Sequence, residues 1–245
     1  MPTMAPVHVG TSGWHYEHWR GPFYPDDLKA HRFLPYYATH FTTVEINNSF
    51  YRLPSEQAVM AWRDAVPPGF IFAVKGSRFI THRKKLQDPE RTLPPFLARI
   101  APLGEKLGPI LFQLPPRWHF DAARLAAFLT ALPAKYRYTL ELRDRSWINE
   151  SALDLLARYG VAFCIYELDG YLSPQEVTAD FVYIRLHGPG GPYQGKYDAR
   201  TLAAWAGAIA AWSREGREVF CYFDNDEAGY AAQDALQLQD LLRQG

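Results

Sequence analysis

The feature that most constrains this chain is an alternation. Eight compact apolar runs, rich in Val, Ile, Phe and Tyr, are separated for the most part by helix-like segments. The runs are Val7–Gly10, Thr43–Ile46, Phe70–Val74, Ile110–Leu114, Tyr138–Leu142, Ala162–Tyr166, Phe181–Leu186 and Val219–Phe223. Continuous apolar runs of this length suit strands buried on both faces. Helical patterns occupy Leu34–His40, Ser55–Val66, Leu93–Leu107, Asp121–Leu132, Asn149–Tyr159, Asp198–Glu215 and Ala228–Arg243. Ser55, Asp121 and Asp198 stand at starts as caps, and Gly160 and Gly216 stand where helices stop. Pro94, Pro95 and Pro102 break up the third pattern, and Glu167–Asp180 carries the weakest helix signal.

Strand alternating with helix eight times predicts parallel βαβ units. A length of 245 residues suits a closed (β/α)8 TIM-type barrel, with residues 1–245 as a single domain. An open doubly wound sheet is the alternative. The turn after the first run, Gly10-Thr11-Ser12-Gly13-Trp14, lacks the dinucleotide fingerprint that such a sheet would carry.

Lys and Arg number 26 and Asp and Glu number 26, so no global pull on nucleic acid is indicated. Cys164 and Cys221 both lie in strand-like runs, with neither CxxC nor zinc spacing, which predicts two buried free thiols. Met1–Gly10 has no apolar signal core, and no run of membrane-spanning length occurs, so a soluble cytoplasmic protein is expected. The oligomeric state is left open.

In a barrel, polar residues at strand C-termini face the site. Glu45 and Asn47 are two apart and share a strand face, as do Glu141 and Arg143, Arg185 and His187, and Tyr222 and Asp224. Pointed inward, these pairs set Lys75, Arg143, Arg185 and His187 against Glu45, Glu141 and Asp224. Such charges could plug the barrel top as a salt-bridge network. They could equally line a ligand site with a cationic side, because a guanidinium fork matches two oxygens of phosphate or carboxylate. The loop His187-Gly188-Pro189-Gly190-Gly191-Pro192-Tyr193-Gln194-Gly195 leads into a helix and supports anion binding, since glycine-rich backbone near a helix N-terminus can cradle phosphate.

Two further stretches have double readings. Arg78, His82, Arg83, Lys84 and Lys85, with Phe79 and Ile80 between, resemble nucleic-acid contacts or form a solvated loop. The ring-dense segment from Trp14 to Tyr24 could stack on bases or sugars, or simply cap the barrel. Of the mouth residues, His187, Glu45, Glu141 and Asp224 could bind a metal. Neighbouring arginines oppose a cation, so neither a metal nor another cofactor is expected.

Joint motifs over nearly the whole chain carry a resemblance. They include Val9-Gly10-Thr11-Ser12-Gly13-Trp14, Thr43-Val44-Glu45-Ile46-Asn47-Asn48-Ser49-Phe50-Tyr51 and Phe72-Ala73-Val74-Lys75. They continue through Phe112-Gln113-Leu114-Pro115-Pro116, Glu141-Leu142-Arg143 with Ser146-Trp147, Arg185-Leu186-His187-Gly188 and Tyr222-Phe223-Asp224-Asn225-Asp226. In these the chain resembles the YecE-like family, domain of unknown function 72. The resemblance implies a TIM-barrel-type fold and supplies no reaction. Asp224 stands where the family tail often has Asn, which adds a carboxylate at the mouth.

The expectation is therefore a barrel enzyme, of hydrolase or lyase type, acting on a small anionic or phosphorylated ligand. Glu45, Glu141, His187 and Asp224 are its catalytic candidates. Trp14, Asn47, Lys75, Gln113, Arg143, Arg185, Gly188, Gly190 and Asn225 are its substrate-binding candidates, joined through the family motif by Trp147. A nucleic-acid-binding or phosphodiesterase-like repair protein is the second reading, and a non-catalytic binding module is the third. No membrane partner is expected.

Overall fold

The computed structural model describes residues 4–244, so the first three residues and Gly245 of the expected 1–245 domain lie outside it. Its strands are β1 (Val7–Thr11), β2 (Thr43–Ile46), β3 (Ile71–Lys75), β4 (Leu107–Gln113), β5 (Tyr138–Glu141), β6 (Ala162–Leu168), β7 (Tyr171–Leu172), β8 (Phe181–Leu186) and β9 (Glu218–Phe223). Its helices are α1 (Phe33–Tyr37), α2 (Glu56–Asp64), α3 (Pro89–Ile100), α4 (Ala122–Thr130), α5 (Glu150–Arg158), α6 (Ala199–Arg214) and α7 (Tyr230–Gln244).

The strand order is β1-β9-β8-β6-β5-β4-β3-β2, with β7 paired to β6. A parallel bridge between Ser12 and Glu45 sets the end of β1 beside β2, so the order returns to its start. Eight parallel strands ordered this way, with helices between most of them, make a (β/α)8 TIM-barrel-like fold. The chain divides into two compact units. One comprises Met1–Glu45, Ile165–Gln175 and Phe181–Gly245, and the other comprises Ile46–Cys164 and Glu176–Asp180.

Local chemistry explains most element boundaries. The side chains of Ser55, Asp121, Asn149 and Asp198 each accept a backbone N–H three residues on, satisfying donors that a helix start leaves orphaned. Helix α6 buries Leu202, Trp205 and Ile209, the spacing of one helical face. Two segments differ from the expectation. Helix α3 begins at Pro89, ahead of the expected Leu93, because a proline at the first helical position has no N–H to lose; Pro94 and Pro95 are then carried inside it. Between β6 and β8 there is no helix among the described residues. Asp169 and Gly170 adopt positive φ and turn the chain so that β7 pairs back on β6. No helix among the described residues is long and apolar enough to cross a membrane. Cys164 and Cys221 are buried and form no disulfide with each other.

Candidate functional site

Strand register decides which side chains share a face. Gly10 pairs with Tyr222, and Tyr222 with Arg185. Register partners in a parallel sheet point the same way, and so do residues two further on. Ser12, Asp224 and His187 therefore join Arg185 on one face, and the Ser12 bridge adds Glu45. Gly10 is required at this crossing, since a Cβ there would lie 2.4 Å from the Thr43 carbonyl oxygen.

Arg185 organises this group. Its Nη2 donates to Glu45 Oε1 at 2.7 Å and its Nε to Oε2 at 3.0 Å. Nη2 also reaches Asp224 Oδ2 at 3.1 Å. Ser12 Oγ donates to Glu45 Oε1 at 2.6 Å, and the Tyr183 hydroxyl to Oε2 at 2.7 Å. Burial, reinforced by the Glu45 charge, holds the Tyr183 hydroxyl well above its usual range, so it stays a donor. His187 lies between Arg185 Nη1, 3.2 Å from its Nε2, and Asp224 Oδ2, 3.0 Å from its Nδ1. A guanidinium can only donate, so Nε2 accepts and the ring proton sits on Nδ1, pointed at Asp224. Glu45, Arg185 and His187 have no solvent exposure. Arg185 thus bonds to the carboxylates of both Glu45 and Asp224.

A second group lies in the other unit. Lys75 pairs with Leu111, and two residues on from Leu111, Gln113 pairs with Glu141. Lys75, Gln113 and Glu141 thus share one face at the ends of β3, β4 and β5. Arg143 Nε donates to Glu141 Oε1. Lys75 is 5% exposed, and its Nζ lies 4.3 Å from the centre of the Phe50 ring. The same ring meets His82 edge-on at 5.0 Å. His82 belongs to a single π-turn, Phe79–Arg83, a backbone form frequent at functional sites. Burial, followed by the charges of Lys75, Arg78 and Arg143, pulls the His82 imidazole below its usual range.

Most of the other expected residues contact the surrounding fold. Trp147 is fully buried, donates its indole N–H to the Trp118 carbonyl and packs on Trp118 and Phe120. Trp14 is 6% exposed, and its carbonyl accepts the Tyr24 hydroxyl at 2.6 Å. Tyr24 stacks on Phe33, and Trp19 is sealed in the same group of rings, so the aromatic segment packs on itself. Gln113 donates to the neighbouring Leu114 carbonyl. Asn47 is half-buried, with its Oδ1 unpaired. In the glycine loop three amides have acceptors: Gly188 N–H goes to the Tyr197 hydroxyl, Gly190 N–H to the Gln194 carbonyl and Gly195 N–H to Glu227. Asn225 Nδ2 ties the loop down through the Gly195 carbonyl and Asp234.

Three participants fall outside the expected set. Tyr183 is two residues before Arg185, and that period-two spacing is the signal that could have found it. Arg78 and His82 read as a basic loop in sequence, and only the π-turn sets the imidazole against Phe50.

The family model described as "Protein of unknown function DUF72" matches residues 8–245. The YecE protein of Escherichia coli is 34% identical over 113 residues, which is 45% of this chain and 41% of that protein, so this match spans less than half of the relative. The YunF protein of Bacillus subtilis is 25% identical over 96% of this chain and 94% of its own length. Among solved structures, a DUF72 protein from Thermotoga maritima superposes with a TM-score of 0.88 at 30% identity, covering 97% of this chain and 99% of that one. A DUF72 protein from Enterococcus faecalis gives 0.84 at 23% identity, covering 97% and 95%.

Proposed function

This chain belongs to the DUF72 family, a premise that supplies a fold and no reaction, and on it we propose a barrel enzyme that binds a phosphate- or carboxylate-bearing substrate through Lys75, Arg78 and Arg143. One observation carries the reading: Lys75 lies over the Phe50 ring that also meets His82, and the charges of Lys75, Arg78 and Arg143 all disfavour the protonated form of that half-buried imidazole. Like charges repel most where burial removes water, and a bound anion offsets that repulsion. Glu141, already bonded to Arg143, is the proton-transfer candidate beside them. Glu45, His187 and Asp224 remain catalytic candidates whose positions Arg185 fixes. Arg185 itself is assigned to that fixing and not to the substrate, because its fork is closed on Glu45. The reaction class is a hydrolysis or elimination.

In the same reading residues 1–245 form one domain, because β2 and β6 each run from one unit into the other. Two buried cysteines that are not bridged to each other fit a cytoplasmic location.

Thermal unfolding of the full chain tests the anion site. Inorganic phosphate should raise Tm beyond the effect of sodium chloride at equal ionic strength, since a ligand of the folded state stabilises it. Arg78 is exposed, so Arg78→Ala should fold normally and lose most of that rise. Equal effects of phosphate and chloride on the wild type would remove the reading.

A further inference from the structure

The segments that carry these cations also carry exposed rings. Tyr51 directly follows Phe50, the ring beneath Lys75 and beside His82, and is 67% exposed. Its own ring meets Phe50 at 5.0 Å, edge to face. Phe79 directly follows Arg78, opens the π-turn that holds His82 and is 46% exposed. An exposed ring beside a cation offers a stacking face, and Tyr51 and Phe79 each adjoin a residue of this cluster in the chain. In the turn that follows the π-turn, Lys85, Leu86 and Asp88 are at positive φ. Such conformations persist where the surroundings over-determine them, and they concentrate at ligand sites. Arg124 Nη1 braces this turn at the Lys85 carbonyl, and Lys85 Nζ lies 5.9 Å from the Trp118 ring centre.

Cations answer a phosphate, and exposed rings answer a flat aromatic surface. A sugar phosphate or an aliphatic carboxylate would use the first and leave the second idle. We propose that the ligand of this cluster is a nucleotide unit, its phosphate held by Lys75, Arg78 and Arg143 and its base stacked on Tyr51 or Phe79. The proposal rests on the anion reading above and narrows it to one substrate class. The unit can come from a free nucleotide or from a single strand, whose bases all present the same stacking face.

Equilibrium binding to the full chain separates the layers. The probes are inorganic phosphate, ribose 5-phosphate, AMP and an octathymidylate. AMP should bind roughly tenfold tighter than ribose 5-phosphate, the gain expected of one stacked base. The Tyr51→Ala/Phe79→Ala double variant alters only exposed rings. It should erase that gain and leave ribose 5-phosphate binding unchanged. Octathymidylate binding that is tighter than AMP and falls steeply with salt identifies a strand as the source, while AMP binding alone identifies the free nucleotide. Equal affinity for AMP and ribose 5-phosphate overturns the nucleotide assignment and leaves the anion site standing. Binding of none of the four overturns both.

Discussion

Arg185 and Glu45 form a closed fork, Nη2 to Oε1 at 2.7 Å and Nε to Oε2 at 3.0 Å, with neither side chain exposed to solvent. Truncating one partner leaves the other charge buried, which costs about 3–5 kcal/mol. Glu45→Ala and Arg185→Ala should each lose stability on that scale in urea titrations. The double variant should lose much less than their sum, because the orphaned charge is then gone. Strictly additive losses would mean that the fork contributes no coupling.

Asp226 sets a pH dependence of defined sign. Its carboxylate accepts the Trp19 indole N–H, and its Oδ2 lies 3.1 Å from His18 Nε2. Burial above all pushes this carboxyl from the usual 3.8 up to about 6, with the Asp224 charge adding to the rise. The folded protein therefore holds the proton more tightly than the unfolded chain does. This group's contribution to stability falls as pH rises from 3.8 to about 6 and stays lost above that. Asp226→Asn, which keeps an acceptor for Trp19, should flatten the slope of unfolding free energy across this window. Identical slopes in variant and wild type would contradict the assignment.

Two glycines should respond to alanine with opposite signs. At Gly188, φ is +108° and a Cβ would lie 2.2 Å from the Gln194 carbonyl oxygen. Gly188→Ala should therefore cost on the order of 1–3 kcal/mol and loosen the loop after β8. Gly207 lies in α6 with nothing near its Cβ position, so Gly207→Ala should gain about 0.5–1 kcal/mol. A destabilised Gly207→Ala, or a neutral Gly188→Ala, read from denaturation midpoints, would refute the respective half.

A single domain should unfold in one step. Far-ultraviolet circular dichroism and tryptophan fluorescence should give coincident urea transitions. Trp19 and Trp205 report on one unit and Trp62 and Trp147 on the other. Two separated transitions would show that the units fold independently.

The alternation of apolar runs and helical segments placed every strand of the barrel within a few residues, because strands buried on both faces leave a continuous apolar trace and helix caps announce themselves. Period-two spacing correctly marks Arg185 with His187, and Tyr222 with Asp224, as sharing faces. It does not reveal that Arg185 closes on Glu45, 140 positions away. The glycine loop after β8 reads as a row of available amides, yet those of Gly188, Gly190 and Gly195 go to Tyr197, Gln194 and Glu227. Arg78 and His82 read as part of a solvated run until the π-turn sets His82 against Phe50.

What the sequence determined alone is the barrel class, its strands, its helix caps and the inventory of charges at the strand ends, since these are local patterns of period and composition. Which charge meets which was decided by the tertiary structure. Strand order and register set those neighbours, and a buried guanidinium takes the nearest carboxylate, so Arg185 went to Glu45, Arg143 went to Glu141 and Lys75 came to lie over the Phe50 ring.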